Sequence, residues 1–367
     1  MFEQTAGVQT SAGAQSPARA DLVALGWDDT FAAEAARWRD PTLVAARVLR
    51  ADRGVCTVLA ATGTVRASLA GAVLAATGDP VNLPCAGDWV LVRRWPDERS
   101  TVEVVLPRRT AIVRRTADKD SSGQVLAANC DTAAVIEPMH PAPDVARIER
   151  LLALAWESGA RPLVVLTKCD LAPDPAAVVA QLAEVAPGVE VLPVSAQRGD
   201  GLAALRPRVG PGRTLALLGP SGAGKSTLVN ALAGATVMAT QQIRRVDGKG
   251  RHTTTYRALV PIPGGGAVLD TPGVRAVGLL DAAAGLDRAF AEVTALVRRC
   301  RFADCGHAAE PGCAVRAALE DGTLAPRRWE SWQRLQREVA VETGRRDARL
   351  ASVDRRHLAR RSRANRR

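Results

Sequence analysis

From Leu43 to Arg115 the apolar positions come in short β-branched runs broken by turn residues: LVAARVL, CTVLAATGTVRASLAG, GDWVLVRRW and TVEVVLPRRTAIVRR. Short strands at this spacing predict a small barrel. A five-stranded oligonucleotide-binding barrel suits the length, and a plain supporting β domain fits the same pattern. From about residue 124 to 280, apolar runs alternate with helical periods. TAAVIE (132–137) predicts a strand, and DVARIERLLALAWESG a helix with Val145, Ile148, Leu152 and Ala155 on one face. PLVVL, VEVLPVSA, RTLALLG, ALVPI and AVLD read as further strands, with AAVVAQLAEVA and KSTLVNALAG as helices between them. Such alternation implies a parallel sheet covered on both faces. After residue 280 the pattern is helical, and RRWESWQRLQREVA sets Trp329, Trp332 and Leu335 on one face, a packing surface. The first forty residues are Ala-rich and predict no firm element.

The fold class expected is therefore multidomain α/β. The divisions are a weakly ordered arm (1–40), a barrel (41–111), an α/β domain (112–280), a helical domain (281–344) and an Arg-rich tail (345–367).

Charge sharpens this picture at one end. The net charge is +11, and residues 345–367 carry ten Arg against two Asp, which is eight of those eleven. Such a tail points to phosphate-rich surface, nucleic acid ahead of acidic membrane or a merely solvated helix end. No stretch has the apolar length of a membrane span. The N-terminus lacks the basic start and apolar core of a secretory signal, so a cytoplasmic protein is expected. Aromatics make up 3% of the chain, which weighs against a broad stacking platform for RNA.

The candidate chemistry begins at GPSGAGKST. Gly219 to Ser226 match Gly-x4-Gly-Lys-Ser, between an apolar strand and a helix. The glycines let backbone N–H groups turn towards phosphate oxygens, and Lys225 adds a point charge to the β- and γ-phosphates. The Ser226 hydroxyl is the expected Mg²⁺ ligand, and the helix dipole faces the same anion. Gly219, Pro220, Ser221, Gly222, Ala223, Gly224, Lys225, Ser226 and Thr227 are the expected phosphate-binding residues.

LDTPG (269–273) ends another apolar strand. Asp270 fits the acid that holds Mg²⁺ through water, and the Gly273 N–H can reach a γ-phosphate. TKCD (Thr167, Lys168, Cys169, Asp170) ends the PLVVL strand. A carboxylate there can accept from guanine N1–H and N2–H₂, and adenine offers no such pair. Lys168 can lie along the base through its aliphatic stem. Ser195 and Ala196 in VSAQRG supply the loop whose N–H meets the guanine carbonyl. By itself TKCD is as readily an ordinary strand-end turn; its neighbours make it a guanine reader. A P-loop kinase or ATPase, and an RNA-binding module with a structural nucleotide, are the competing classes. Asp170 argues against the first, and Lys225, Ser226 and Asp270 against the second.

The base reader precedes the phosphate loop, the reverse of the usual GTPase order. Joining the ends of a sheet and cutting the chain elsewhere produces this order without moving the elements in space. GRHTTT (250–255) lies where the first switch loop belongs. One of Thr253–Thr255, with Thr254 taken as the ligand, is expected to reach Mg²⁺. The residue after Asp-x-x-Gly is Val274, which cannot orient water as a Gln does. His252 is the candidate for that role.

CRFADCGHAAEPGC spaces Cys300, Cys305, His307 and Cys313 as Cys-x4-Cys-x-His-x5-Cys. Three thiolates and an imidazole make a closed tetrahedral site, structural and suited to Zn²⁺. The other cysteines (56, 85, 130, 169) read as packing residues.

The order TKCD, VSA, P-loop, GRHTTT and DTPG, followed by Cys and His, resembles the circularly permuted ribosome small subunit-dependent GTPase A family. GDWV (87–90), LPRRT (106–110) and RIERLLALA (147–155) are similar to family stretches too, so the resemblance covers about residues 43 to 340. It implies an N-terminal oligonucleotide-binding barrel, a permuted GTPase domain and a C-terminal zinc domain. It also implies GTP hydrolysis during late assembly of the small ribosomal subunit, with rRNA as partner, and supports His252 as the water-orienting group. A monomer is expected. Two departures stand out: Thr167 where the family has Asn, and Cys130 in place of an aliphatic residue.

Overall fold

The computed structural model describes residues 21–75, 80–115, 123–238, 257–271, 282–341 and 343–344. Five strands close the expected barrel: β1 (Leu43–Asp52), β2 (Val55–Ala60), β3 (Gly63–Leu69), β4 (Trp89–Arg94) and β5 (Ser100–Val105), in the order β1-β2-β3-β5-β4. Strict alternation along β2 turns Cys56, Val58 and Ala60 inward, where they meet Ala46, Val48, Val90, Val92 and Val102. Cys56 is thus a packing residue, and burial pushes its thiol up to about 12.

Residues 21–36, expected as part of a weakly ordered arm, instead form a turn and a helix, α1 (Asp29–Ala36). The Asp28 carboxylate caps α1 by accepting from the N–H groups of Thr30 and Phe31. Leu25 and Phe31 are buried, and Trp27 and Phe31 lie 4.9 Å and 5.8 Å from the Trp89 ring on β4. Nothing local to an Ala-rich stretch announces this, because the partner ring is about sixty residues away in sequence. Residues 1–20 lie outside the described residues.

Arg47 on β1 is fully buried beneath this joint. Its guanidinium donates to the carbonyls of Leu25 and Asn129 and to Thr214 Oγ1, and stacks 4.8 Å from Trp89. One side chain thus ties the N-terminal turn, the barrel and the following sheet together.

Ala111–Arg115 (β6), read from sequence with the barrel strands, pairs instead with Gly123–Ala128 (β7) in a separate antiparallel hairpin. The barrel is already closed without it. The central sheet runs in the order β10-β9-β8-β11-β13-β12. Its strands are β8 (Thr132–Pro138), β9 (Arg161–Thr167), β10 (Val191–Val194), β11 (Thr214–Leu218), β12 (Ala258–Pro261) and β13 (Ala267–Asp270). All neighbours are parallel except β12 and β13. Only the IPGGG turn joins those two, too short for a crossover helix, so the edge pair is antiparallel.

A short helix, α2 (Gly71–Ala75), follows β3, and helix α3 (Val145–Glu157) follows β8. One apolar face was expected, yet Glu149, Leu151, Ala153 and Leu154 are buried as well as Ile148, Leu152 and Ala155. The second face is covered by the C-terminal helices. A Cβ on Gly285 would lie 2.1 Å from the Ala153 carbonyl oxygen, so the helix over Ala283–Ala289 packs almost backbone to backbone on α3. Buried Glu149 accepts from Arg327 at 2.9 Å and Arg328 at 3.0 Å, and Arg328 also holds Glu292 at 2.6 Å. Gly285→Ala is expected to cost about 3 kcal/mol of stability through forced separation of these helices. Denaturant unfolding checks this, and an unchanged midpoint would mean that the helices part freely.

Candidate functional site

The sheet places the candidate residues at the C-terminal ends of its parallel strands, where α/β folds form their ligand crevice. β11, buried along its whole length, ends at Leu218 and leads into Gly219. A Cβ there would lie 2.3 Å from the Ile136 carbonyl oxygen, so only glycine lets the chain leave the strand at this point. Gly222 and Gly224 adopt φ of +84° and +89°, which turn the loop into the helix Lys225–Ala233. Lys225 is buried, and its Nζ donates to the carbonyls of Gly219 and Pro220 at 2.8 Å and 2.9 Å. Ser226 and Thr227 sit half-buried on the first turn.

Asp270 ends β13 in register with Leu217 of β11, just before the phosphate loop. Burial raises its carboxyl and Lys225 partly offsets this, while burial lowers the Lys225 ammonium with Asp270 opposing. Each charge is thus incompletely compensated by the other. Asp270 Oδ1 is enclosed and accepts no hydrogen bond from the described residues. A buried carboxylate oxygen with no donor among the described residues, facing the Lys225 ammonium, fits a hydrated Mg²⁺. Thr271 Oγ1 donates to the Leu217 carbonyl at 2.6 Å and fixes the exit of β13 against β11.

The base-reader candidates follow β9. Lys168 takes a left-handed conformation, φ 57° and ψ 36°, which turns the chain sharply into the short 3₁₀ helix Cys169–Leu171. Asp170 is half-buried, and a hydrogen bond from the Ser195 side chain holds its carboxyl below the usual carboxylate range. Ser195 and Ala196 follow β10, whose Val194 is in register with Thr167. Cys169 is half-buried, its thiol raised by burial.

Thr167 does what its sequence position did not reveal. Its Oγ1 donates to the Ala223 carbonyl of the phosphate loop at 2.6 Å, and Gly224 packs against it. The strand that carries the base reader is therefore bonded directly to the loop that would hold phosphates. In the sequence the residue stands out only as a departure from Asn, yet its hydroxyl can supply the same kind of donor.

His252, Thr253, Thr254, Thr255, Gly273 and Val274, and the tail 345–367, lie outside the described residues. Among the described residues, no helix is long and apolar enough to cross a membrane.

A second cluster lies in the C-terminal part. The ligand atoms of Cys300, Cys305, His307 and Cys313 all fall within 4.8 Å of one another. Cys300 Sγ and Cys313 Sγ are each 3.5 Å from His307 Nδ1 and 3.9 Å apart. Ligands about 2.3 Å from a tetrahedral ion stand at such separations, so the cluster could hold a metal ion. Cys313 also caps the helix Ala314–Glu320, and the Glu310 carboxylate accepts from the N–H groups of Gly306, Ala308 and Ala309. His307 meets the edge of buried Trp329, which stacks on Trp332 at 5.0 Å. The expected apolar face of the helix over 326–341 thus packs on the cluster. Cys85 and Cys130 are buried, as packing residues should be.

The description "RsgA GTPase" belongs to the family model that matches residues 105–280. A small ribosomal subunit biogenesis GTPase RsgA of Streptomyces coelicolor is 52% identical, over 93% of this chain and 92% of its own. One of Opitutus terrae is 44% identical, over 91% and 94%. Among solved structures, YjeQ from Thermotoga maritima superposes with a TM-score of 0.60 at 25% identity, covering 81% of this chain and 99% of that one. YloQ, described as a circularly permuted GTPase, gives 0.56 at 21% identity over 81% and 95%, a likeness of fold.

Proposed function

The chain belongs to the RsgA GTPase family, and on that premise we propose that it hydrolyses GTP to GDP and phosphate when stimulated by the small ribosomal subunit, during late maturation of that subunit. The observation that carries this reading is the bond between Thr167 and Ala223, which makes a guanine-type carboxylate strand and a phosphate loop one unit. Its setting is the cytoplasm and its working form a monomer. The barrel (41–111), permuted GTPase domain (112–280), zinc domain (281–344) and Arg-rich tail (345–367) divide the work, and rRNA is the surface they meet.

In this reading Asp170 accepts from guanine N1–H and N2–H₂, with Ser195 keeping it ionised. Lys168 and Cys169 flank the base and Ala196 donates to its carbonyl. Gly219 to Thr227 enclose the phosphates. Lys225, which now donates to two loop carbonyls, transfers those bonds to the β- and γ-phosphate oxygens. Ser226, Thr254 and Asp270 hold Mg²⁺, which when bound neutralises charge across the β- and γ-phosphates. Gly273 donates to the γ-phosphate. Cys300, Cys305, His307 and Cys313 hold one structural Zn²⁺.

Val274 cannot orient the attacking water, so His252 takes that role and turnover depends on the partner. His252→Ala is expected to leave GTP affinity intact and to lower subunit-stimulated turnover by about 10²-fold. Unaltered stimulated turnover would remove His252 from the mechanism. Thr167→Val keeps the shape of the side chain but loses the donor to Ala223. One hydrogen bond is worth about 1 kcal/mol, so GTP affinity should fall about five-fold. Titration with a fluorescent guanine nucleotide reads this out, and equal affinity would mean the bond does not position the loop.

Steady-state hydrolysis of GTP and ATP, alone and with isolated small or large subunits, tests the whole reading. Slow GTP turnover that rises only with small subunits is expected. Equal use of ATP, or stimulation by large subunits alone, would overturn it.

A further inference from the structure

The loop between the metal-ligand candidates Cys300 and Cys305 has four residues, and it exposes an aromatic ring. Phe302 is 41% exposed, whereas Phe31 and Phe290 are buried at 3% and 0%. A lone exposed ring is ordinary surface. What distinguishes Phe302 is its setting. Arg298, Arg299 and Arg301 are exposed within four residues of it in the chain, and the Arg301 guanidinium sits over the ring, 5.4 Å from its centroid. Arg298 has only a long contact of 3.9 Å to Asp287, and Arg299 and Arg301 have no carboxylate partner among the described residues. Asp304 is the one acid in the loop itself.

The loop is also held rigidly. Arg301 N–H donates to the Gly312 carbonyl, Cys305 N–H to the Phe302 carbonyl, and a Cβ on Gly312 would lie 3.0 Å from the Arg301 Cβ. The Cys300 and Cys313 sulfurs meet at its base. A ring presented at a fixed angle loses little entropy on binding. An exposed ring with a guanidinium over one face, close in the chain to Arg299, which has no carboxylate partner among the described residues, matches one chemistry closely: an unpaired nucleobase with the phosphates on either side of it. A buried protein contact would suit the ring but not three solvated cations, and duplex RNA would suit the cations but offers no open base face.

We propose that Phe302 is a stacking platform for an unpaired RNA base, with Arg299 and Arg301 on its flanking phosphates. This deepens the proposed function and rests on it in taking RNA as the partner. The test uses the full chain with its metal, a single-stranded oligouridylate as probe, and metal content and melting as controls of folding. Ultraviolet cross-linking is expected to join uridine to Phe302, as read by mass spectrometry. Phe302→Ala should weaken binding of the probe about ten-fold, and Phe302→Tyr should restore it. Arg299→Gln with Arg301→Gln should lower the slope of log affinity against log salt by about 0.7 for each phosphate that is no longer neutralised.

Wild-type probe affinity in Phe302→Ala, or cross-links that avoid residue 302, would overturn the proposal. Loss of small-subunit stimulation in Phe302→Ala with probe binding unchanged would overturn it too, in favour of a protein contact. Failure of small subunits to stimulate the wild-type chain would instead sink the maturation reading, and leave the cross-link to decide the stacking site alone.

Discussion

Asp170→Asn is expected to exchange guanine for xanthine as the preferred base, with GTP affinity falling about 10³-fold. The carboxylate can accept from both N1–H and N2–H₂ of guanine. The Asn amide offers one acceptor and turns an N–H donor towards the other guanine donor. Hydrogen bonds to a charged group are worth about 1.5–3 kcal/mol each, so losing one, weakening the other to a neutral bond and opposing two donors costs about three decades of affinity. Xanthine carries a carbonyl at that position and accepts from the new amide. The substitution leaves the fold alone, because Asp170 is half-buried in the short 3₁₀ helix that follows β9. Base recognition needs the ionised carboxylate, and the Ser195 hydrogen bond lowers its pKa. Recognition is therefore fully present above the ordinary carboxylate range, about pH 4, and is lost as pH falls through the lowered value. Competition between GTP and XTP for wild type and variant measures the switch. An Asn variant that still prefers GTP would mean that Asp170 does not read the base.

Removing the Zn²⁺ proposed for the Cys/His cluster is expected to lower the melting midpoint by about 10 °C. The ligands come from three places: the end of one helix (Cys300), a loop (Cys305 and His307), and the cap of the next helix (Cys313). Without an ion, only weak sulfur contacts of 3.5 Å to His307 Nδ1 and 3.9 Å between Cys300 and Cys313 hold the ligands together. The loss passes to Trp329 through its edge contact with His307, and from there to the stacked Trp332. Structural zinc contributes about 10–16 kcal/mol to small domains that have little else. Here Phe290, Val315 and Leu335 keep an apolar core, so only part of that applies. A loss of about 4 kcal/mol gives the shift stated. Melting with and without a chelator, followed by Zn²⁺ re-addition and metal analysis, checks it. A metal-free chain with an unaltered midpoint would show the cluster to be dispensable for the fold.

What could be read from the chain and what could not divide along a physical line. The phosphate-loop motif was legible because backbone N–H groups that turn towards an anion need glycines at fixed spacing, as at Gly219, Gly222 and Gly224. The Cys/His cluster was legible because its donors are few and close in sequence. The barrel and the parallel sheet followed from periods of two and 3.6 residues. Packing between distant segments left no local mark. Phe31 on Trp89, the second buried face of α3 and the separate β6–β7 pair all depend on partners that periodicity cannot name. Thr167 shows the subtler case. Its departure from Asn is visible in the chain, but its hydroxyl gains a role only where β9 and the phosphate loop lie side by side.

The strand order carries a consequence for how the protein is made. The first strand of the sheet to leave the ribosome is β8, and it lies in the interior. β9 and then β10 add outward on one side, so the strands that carry the candidate base reader precede the phosphate loop in synthesis. The other edge of β8 stays open until β11 arrives some eighty residues later. Domains fold from the N-terminus as they emerge. The three strands of this sheet made first, β8, β9 and β10, are neighbours in it, and the free edge of β8 is the seam that β11 later fills. In this arrangement vectorial synthesis, and not only the finished sheet, brings the two halves of the nucleotide crevice together in a set sequence.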